Sequence, residues 1–239
     1  MIVAFDVSLD AEALAERVAR WMTGLALAKD GIFAVALSGG STPRALYRML
    51  AGPPFLNAFP WDRTHWFWGD ERFVPHSDAM SNFRMASEAM LARAPVPPDQ
   101  IHAVPTVGIT PGEAARQYES ELQKFYGSQS LLPARPLFDL VLLGLGEDGH
   151  TASLVPRSPA LNERAHWTAV TEMASQTRIT LTYPALESCA HAAFLVSGSS
   201  KHAILQRVRA GDHDLPAARL SPTGDLHVFA DDEAAGCAG

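Results

Sequence analysis

The chain reads IFAVALSGGSTP over residues 32–43. Its first six residues are all apolar, which is typical of a strand that is buried on both faces of a sheet. The apolar run stops at Ser38-Gly39-Gly40, and Pro43 suits the first turn of a following helix, where its missing N–H costs nothing. We therefore predict a strand, a glycine turn and a helix.

The same succession recurs along the chain. A second run, residues 138–143, is apolar except for Asp139 and also ends in glycines, and apolar residues at helical spacing predict a helix over 10–29. Further strands are expected at 65–68, 178–183, 192–196 and 226–230, and further helices at 82–93, 111–126 and 200–209. Alternating strands and helices indicate an α/β fold with a mostly parallel sheet that helices cover on both faces. We expect a single domain over 1–239, with residues 231–239 frayed.

Composition and charge limit the possible functions. Of the 239 residues, 47% are apolar and 19% are charged, which is an ordinary globular composition. The net charge of −7 argues against broad nucleic-acid binding, because that requires a basic surface. No window approaches the ~18 uninterrupted apolar residues of a membrane span, and the first residues lack the basic region of a signal peptide. We expect a cytoplasmic protein without nucleic-acid or membrane partners. The sequence leaves the oligomeric state open and favours a monomer.

Metal-ligating residue types show no spacing typical of a metal site. Cys189 and Cys237 lack CxxC spacing and are too few for a disulfide framework, so we expect two free thiols. Eight of the nine histidines lack paired spacing such as HxxxH, and we expect them to be structural or exposed. They are His65, His76, His102, His166, His191, His202, His213 and His227. We expect neither a metal nor a cofactor.

In open α/β sheets, ligands bind beyond the carboxyl ends of the strands, so the turns after strands are the expected site. In the first such turn, Gly39 and Gly40 allow close backbone approach, and Ser41 and Thr42 offer amides and hydroxyls at a helix start. These groups form a candidate phosphate site, and Ser41 or Thr42 is expected to cap the helix. The turn matches neither GxGxxG nor Walker A, so dinucleotide or nucleoside triphosphate binding is not implied. A plain strand-to-helix turn is the alternative.

The second turn carries three consecutive charges, Asp70, Glu71 and Arg72, directly after an aromatic strand. A solvated turn with an Asp–Arg pair is the simpler interpretation. Beside a phosphate site, however, Arg72 becomes a candidate clamp for substrate anions, and Asp70 a candidate substrate contact. Ser81 is expected to cap the next helix, which is a structural role.

The third turn, LGLGEDGHTAS over residues 143–153, is the most informative. It has three glycines in six residues, and Asp148 lies two positions before His150. A carboxylate so close can orient an imidazole and favour its charged form. The pKa of a histidine lies near enough to neutrality for general acid or base catalysis. We expect His150 and Asp148 to be catalytic and Gly149 to contact the substrate. A histidine that only braces the turn is the alternative.

The fourth turn, VSGSSK over residues 196–201, places Lys201 at the start of a predicted helix. A positive charge there opposes the helix dipole, which suggests that Lys201 binds an anion. Arg178, on a predicted strand, is a further candidate cation. A simple surface charge is the alternative interpretation for each.

Taken together, these motifs resemble a known family, the 6-phosphogluconolactonases, which form a larger group with the glucosamine-6-phosphate isomerases. The matching segments follow the family's order and are residues 38–43, 69–75 with 81–82, 143–156, 178–182 and 197–201. The resemblance spans about residues 10–230, and LGLGEDGHTASLVP is its most specific part. One departure is Val155, where the family usually has Phe before the proline.

The resemblance implies a Rossmann-like α/β fold and hydrolysis of 6-phospho-D-glucono-1,5-lactone, the second step of the oxidative pentose phosphate pathway. By the same resemblance, His150 matches the catalytic base, Asp148 its partner and Arg72 a residue that lines the active site. The positions associated with the phosphate are Ser41, Thr42, Arg178 and Lys201.

Two other functions compete with this interpretation. In the isomerases the histidine loop continues toward Asn-Glu-Pro, and that glutamate assists sugar ring opening. Val155 stands at the aligned position here, and a valine cannot transfer a proton. A non-catalytic sugar-phosphate sensor would keep the phosphate loops but could dispense with Asp148 and His150. The favoured hypothesis is a lactonase in which His150 takes a proton from the attacking water.

Overall fold

A computed structural model of the chain describes residues 2–237. The strands within that range are β1 Ile2–Ser8, β2 Phe33–Leu37, β3 Thr64–Trp68, β4 Asp70–Arg72, β5 Phe138–Leu143, β6 Thr168–Met173, β7 Gln176–Leu181, β8 Cys189–Val196 and β9 Asp225–Asp231. The α-helices are α1 Ala11–Ala28, α2 Ser41–Leu50, α3 Phe55–Ala58, α4 Asn82–Ala86, α5 Pro111–Tyr126, α6 Tyr183–Glu187, α7 His202–Arg209 and α8 Asp232–Ala235.

Six parallel strands form the main sheet, in the order β1-β9-β8-β5-β2-β3. Every residue of β2 is buried, as are five of the six residues of β5, because other elements cover the sheet on both faces. The prediction of a mostly parallel α/β fold in one domain is confirmed. No helix within residues 2–237 is both long and apolar enough to cross a membrane.

A second, antiparallel sheet of three strands, in the order β4-β7-β6, was not predicted. It departs from the main sheet at Gly69, whose N–H donates to the Leu37 carbonyl at 2.8 Å. The carbonyl of Gly69 in turn accepts the N–H of Leu181 at 2.8 Å. This one residue therefore connects the end of β2 with the small sheet and sets the small sheet beside the carboxyl edge of the large one.

Helix α1 confirms the amphipathic pattern predicted over residues 10–29. Asp10 caps it by accepting the N–H of Ala13 at 2.8 Å, and Leu14, Val18 and Met22 are fully buried on its inner face. The helix predicted over 82–93 is α-helical only to Ala86 and continues as a π-helical turn over Ser87–Leu91.

The expected frayed segment from residue 231 is wrong for the described residues up to 237. Asp231 caps α8 by accepting the N–H of Ala234 at 2.8 Å, and Ala234 and Ala235 are buried. A side-chain cap and buried alanines stabilise a short helix that composition alone did not indicate. Residues 238 and 239 lie outside the described range.

Candidate active site

The four predicted turns follow β2, β3, β5 and β8, which are neighbours in the main sheet. Because these strands are parallel, their carboxyl ends meet at one edge, where a cleft of about 650 Å³ opens. The predicted site residues that line this cleft are Gly39, Gly40, Ser41, Thr42, Asp70, Arg72, Asp148, His150, Arg178 and Lys201.

Gly149 is the one predicted site residue that does not line the cleft. Its carbonyl accepts the N–H of Ala217 at 2.9 Å, and Leu215 packs where a side chain would otherwise project, 2.7 Å from an ideal Cβ. The position of Gly149 gives it a structural role in the turn that joins Asp148 to His150.

His150 and Asp148 form a hydrogen-bonded pair in the cleft. Nδ1 of His150 lies 2.6 Å from Oδ1 of Asp148, and the same oxygen accepts the backbone N–H of His150 at 3.1 Å. An ionised carboxylate only accepts hydrogen bonds, so in the neutral imidazole Nδ1 carries the proton and Nε2 has the lone pair. The pair thus offers one basic imidazole nitrogen for proton transfer.

The charge of Asp148 is favoured by this arrangement. Partial burial opposes ionisation, but the backbone N–H of His150 and its imidazole outweigh it, so the pKa of Asp148 lies below its ordinary value. Asp148 is therefore an anion at neutral pH, and it stabilises the imidazolium that forms when Nε2 accepts a proton.

Gly146 makes room for the histidine ring. An ideal Cβ on Gly146 would lie 2.0 Å from Nδ1 and 2.7 Å from Cγ of His150, so the ring occupies the place of a side chain. The N–H of Gly146 also donates to the carbonyl of His150 at 2.9 Å, which closes the turn. The second glycine of the LGLG stretch is thus required by the close approach of the ring.

The phosphate-binding prediction rests on the start of α2. The helix begins at Ser41, and Gly40 is its N-cap without a side-chain hydrogen bond, so the expected capping by Ser41 or Thr42 is wrong. Both residues lie in the first turn, where helix geometry leaves backbone N–H groups without intrahelical acceptors. Their amides and hydroxyls are therefore available to an anion in the cleft.

Two buried tyrosines fix the ends of the strands that lead into the cleft. The hydroxyl of Tyr47 donates to the carbonyl of Ser38 at 2.8 Å and accepts its N–H at 3.0 Å. Tyr118 makes the same pair of bonds with Trp68, at 2.9 and 2.8 Å. No motif in the sequence indicated these contacts: Tyr47 lies on the helix that follows Ser38, whereas Tyr118 is 50 residues from Trp68.

Lys201 lies in a 3-10 turn, Ser199–Lys201, directly before α7, and its side chain lines the cleft. Its Nζ is 3.9 Å from Glu147 Oε1, at the limit of an ion pair, so much of its charge is available to a ligand. The turn before it is held by Asp231, which accepts the N–H of Gly198 at 3.0 Å.

The small sheet brings two arginines together. Arg72 and Arg178 are direct cross-strand partners in β4 and β7, a pairing of like charges that is unfavourable by itself. Arg178 is 6% exposed, and its Nη1 lies 3.5 Å from Asp70 Oδ2, which also accepts the hydroxyl of Ser153 at 2.6 Å. Burial lowers the pKa of Arg178, although the attraction of Asp70 raises it. An arginine nevertheless stays charged at neutral pH.

The solvated turn with an Asp–Arg pair, given above as the simpler interpretation of the second turn, does not form: Asp70 is buried and pairs with Arg178 of β7. Arg72 instead donates from Nη1 to the carbonyl of Met80. The cleft thus contains two guanidinium groups, and the carboxylate of Asp70 lies beside one of them.

Glu71 is a structural carboxylate that the sequence did not distinguish from its charged neighbours. It is 1% exposed and accepts the N–H groups of Asn82 and Phe83, both at 2.7 Å, and the hydroxyl of Ser81 at 3.1 Å. Burial raises the pKa of Glu71 above its ordinary value, although the hydrogen bonds from backbone N–H groups act in the opposite direction. Ser81 also caps α4, as predicted, by accepting the N–H of Arg84 at 3.1 Å.

Through Asn82, Glu71 supports the first turn as well. An ideal Cβ on Gly39 would lie 2.1 Å from Asn82 Oδ1, so the amide of Asn82 packs directly on the backbone of the phosphate turn. Asn82 also lines the cleft and donates from Nδ2 to the carbonyl of Asp70 at 2.9 Å. Sequence reasoning missed Asn82 as a cleft residue.

We expect Glu71→Ala to lower the free energy of unfolding by about 2–4 kcal/mol, because it leaves several buried N–H and O–H donors without an acceptor. Urea denaturation measures the change. Glu88→Ala is the matched control: Glu88 pairs with Arg84 on the surface of the same segment, and its loss should leave stability close to wild type. Equal stability of the two variants would contradict the supporting role of Glu71.

Comparison with known proteins identifies the family of the chain. The sequence model of the family described as glucosamine-6-phosphate isomerases/6-phosphogluconolactonase matches residues 8–228. A 6-phosphogluconolactonase of Nostoc sp. is 41% identical over 205 residues, 84% of this chain and 82% of its own. One of Synechocystis sp. is 39% identical over 235 residues, 96% and 95% of the two chains.

Among solved structures, a 6-phosphogluconolactonase from Thermotoga maritima superposes with a TM-score of 0.80 at 30% identity, covering 95% of this chain and 99% of its own. The family match extends over almost the whole main sheet, from the end of β1 into β9, and includes all four turns of the cleft. The chain therefore belongs to the glucosamine-6-phosphate isomerase/6-phosphogluconolactonase family.

Proposed function

We propose that the chain hydrolyses 6-phospho-D-glucono-1,5-lactone to 6-phosphogluconate, the second step of the oxidative pentose phosphate pathway. One observation carries the proposal: the cleft that holds the His150–Asp148 pair also holds the helix start at Ser41 and the side chain of Lys201. If the phosphate binds at the helix start and Lys201, the sugar ring lies in the same cleft as His150. The names of the relatives described above support the same reaction.

The reaction begins with a water molecule. Nε2 of His150 takes a proton from this water as the oxygen attacks C1 of the lactone, and Asp148 stabilises the imidazolium through Nδ1. The lactone is an activated ester, so no covalent enzyme intermediate is required. General base catalysis of this kind contributes about 10²–10⁴-fold to the rate, and positioning by the phosphate contributes much of the rest.

Attack on C1 creates a negatively charged oxygen, which Arg72 or backbone amides of the glycine turns stabilise. Collapse of the tetrahedral intermediate breaks the bond between C1 and the ring oxygen. The imidazolium of His150 returns its proton to that oxygen, so the product leaves as an open-chain acid and His150 is neutral again.

At the other end of the substrate, Ser41, Thr42 and Lys201 bind the phosphate, with Arg178 adding positive charge. We expect Lys201→Ala to raise KM about tenfold or more with little change in kcat, because a charge-assisted hydrogen bond contributes about 1.5–3 kcal/mol. Steady-state kinetics measures KM and kcat separately. Lys124→Ala, on the exposed face of α5, is the matched control and should keep the wild-type KM. An unchanged KM in Lys201→Ala would remove Lys201 from the phosphate site.

The direct test generates the lactone in situ with glucose-6-phosphate dehydrogenase and follows its disappearance, with spontaneous hydrolysis subtracted. Enzyme-dependent acceleration is expected. Release of ammonia from glucosamine 6-phosphate would favour an isomerase instead, a reaction for which Val155 provides no proton-transfer group. Tight binding of sugar phosphate without turnover would favour a sensor.

The proposal also places the protein in the cytoplasm as a monomer without nucleic-acid partners. Two free thiols, buried Cys189 and exposed Cys237, support a reducing compartment. The negative net charge supports the lack of nucleic-acid binding. Analytical ultracentrifugation tests the oligomeric state.

A further inference from the structure

Three potential metal ligands lie together at the edge of the sheet opposite to the cleft. His191 is near the start of β8, and Asp225 and His227 are at the start of β9. In the parallel register of these strands, Asp225 is the direct partner of His191. His227 follows Asp225 by two residues and therefore projects from the same face of β9. Sequence spacing did not show this group, because its members meet across strands.

The ligand atoms of the three side chains converge. One ligand atom from each residue lies within 4.8 Å of those of the other two, and His191 Nδ1 is 3.8 Å from Asp225 Oδ2. Nδ1 of His191 and Nε2 of His227 are both buried, and neither has a hydrogen-bond partner among the described residues. A buried polar nitrogen without a partner is unfavourable, so two of them in a group that also contains a carboxylate indicate a missing ligand.

The two imidazoles are held in place by Trp21 on α1. The ring of Trp21 packs against His227 with centroids 4.8 Å apart and against His191 edge-on at 5.8 Å. Phe229, two residues after His227 on the same face of β9, packs against Trp21 at 5.0 Å and lies 6.2 Å from His227. These aromatic contacts limit the movement of the two imidazole rings.

We propose that His191, Asp225 and His227 bind a Zn²⁺ ion, with water as the fourth ligand. Two imidazole nitrogens and one carboxylate oxygen are a common donor set for zinc, and the net negative charge of the group favours a divalent cation. In a tetrahedral site the ligand atoms lie roughly 3.3 Å apart, given bonds of about 2.0–2.1 Å. Asp225, with 51% of its side chain exposed, is free to make the small movement that closes the site.

The ion would join β8 to β9 at the end of the sheet that carries no substrate. It would therefore stabilise the fold without taking part in the lactone chemistry, since His150 lies at the opposite edge of the sheet. Metal binding to the native state alone raises stability in proportion to the logarithm of the free metal concentration.

The test titrates chelator-treated protein with Zn²⁺ and measures bound metal by equilibrium dialysis with elemental analysis. We expect one Zn²⁺ per chain and a rise in Tm of about 5–10 °C when free Zn²⁺ is 100 times Kd. Asp225→Asn and His227→Gln should each weaken binding at least about 100-fold. Co²⁺ in place of Zn²⁺ should give the visible absorption of a tetrahedral complex in the wild type and lose it in these variants.

Two matched histidine variants serve as controls. His213→Gln changes an exposed histidine, and His150→Gln changes the one in the cleft; both should keep full zinc binding. Asp225 is exposed, so Asp225→Asn should fold normally even if a variant of a more buried histidine does not. Lack of stoichiometric binding by the wild type would overturn the proposal, as would binding that survives Asp225→Asn and His227→Gln or is lost in His150→Gln.

Discussion

Replacement of His150 by alanine is expected to lower kcat at least about 100-fold while KM changes little. The substitution removes the only imidazole that lines the cleft among residues 2–237, and with it the nitrogen that accepts the proton of water. The helix start at Ser41 and the side chain of Lys201 are unaffected, so the phosphate still binds. Steady-state kinetics with enzymatically generated lactone measures both parameters.

His213→Ala is the control for this experiment, because His213 is exposed and does not line the cleft. It should retain wild-type kcat. Activity of His150→Ala close to that of the wild type would refute the catalytic role of His150. A large increase in KM with unchanged kcat would instead assign His150 to substrate binding.

The second large effect is expected from a glycine whose side chain carries no reacting group. Gly146→Ala places a methyl group 2.0 Å from Nδ1 of His150, so the ring must move and its 2.6 Å contact with Asp148 cannot persist. The φ of Gly146 is not in the left-handed region, so alanine does not strain the backbone there. We therefore expect a loss of kcat of about 100-fold, comparable to that of His150→Ala, at nearly unchanged KM.

Gly144→Ala is the matched control two residues earlier in the same turn. There the nearest atom to an ideal Cβ is Ser38 Oγ at 3.6 Å, an ordinary contact, so activity should be close to wild type. Equal activity of the two variants would show that the position of the His150 ring does not matter to the rate. A fall in Tm of Gly146→Ala that matches its loss of activity would point to general unfolding instead.

The main sheet could be predicted from sequence because its central strands carry an unambiguous signal. Residues 33–37 and 138–143 are nearly all apolar and end in glycine turns, a pattern that few other structures require. The convergence of the four turns followed from parallel topology, since neighbouring parallel strands end at one edge. Nine of the eleven predicted site residues lie in these turns and line one cleft; Arg178 reaches it from β7 of the small sheet, and Gly149 does not line it.

The small antiparallel sheet could not be predicted in the same way. β4 consists of three charged residues, 70–72, and β6 mixes polar and apolar residues, so neither shows a strand pattern. Their pairing depends on Gly69 and on contacts with the main sheet, which local propensity does not encode. For the same reason, three other features were visible only in three dimensions. They are the cross-strand pairing of Arg72 with Arg178, the packing of Asn82 on Gly39 and the group around His191.

The carboxylate of Asp70, 3.5 Å from the Arg178 guanidinium, has a consequence for turnover. In the proposed reaction an uncharged ester becomes an acid, so the product carries one more negative charge than the substrate. An unopposed arginine beside C1, the place proposed for Arg72, would retain the product more strongly than the substrate and slow its departure. A fixed internal anion reduces that preference, because it repels the newly formed carboxylate more than the neutral lactone. In this reaction Asp70 would thus limit product inhibition, while Arg72 stays available to the oxygen that becomes negative.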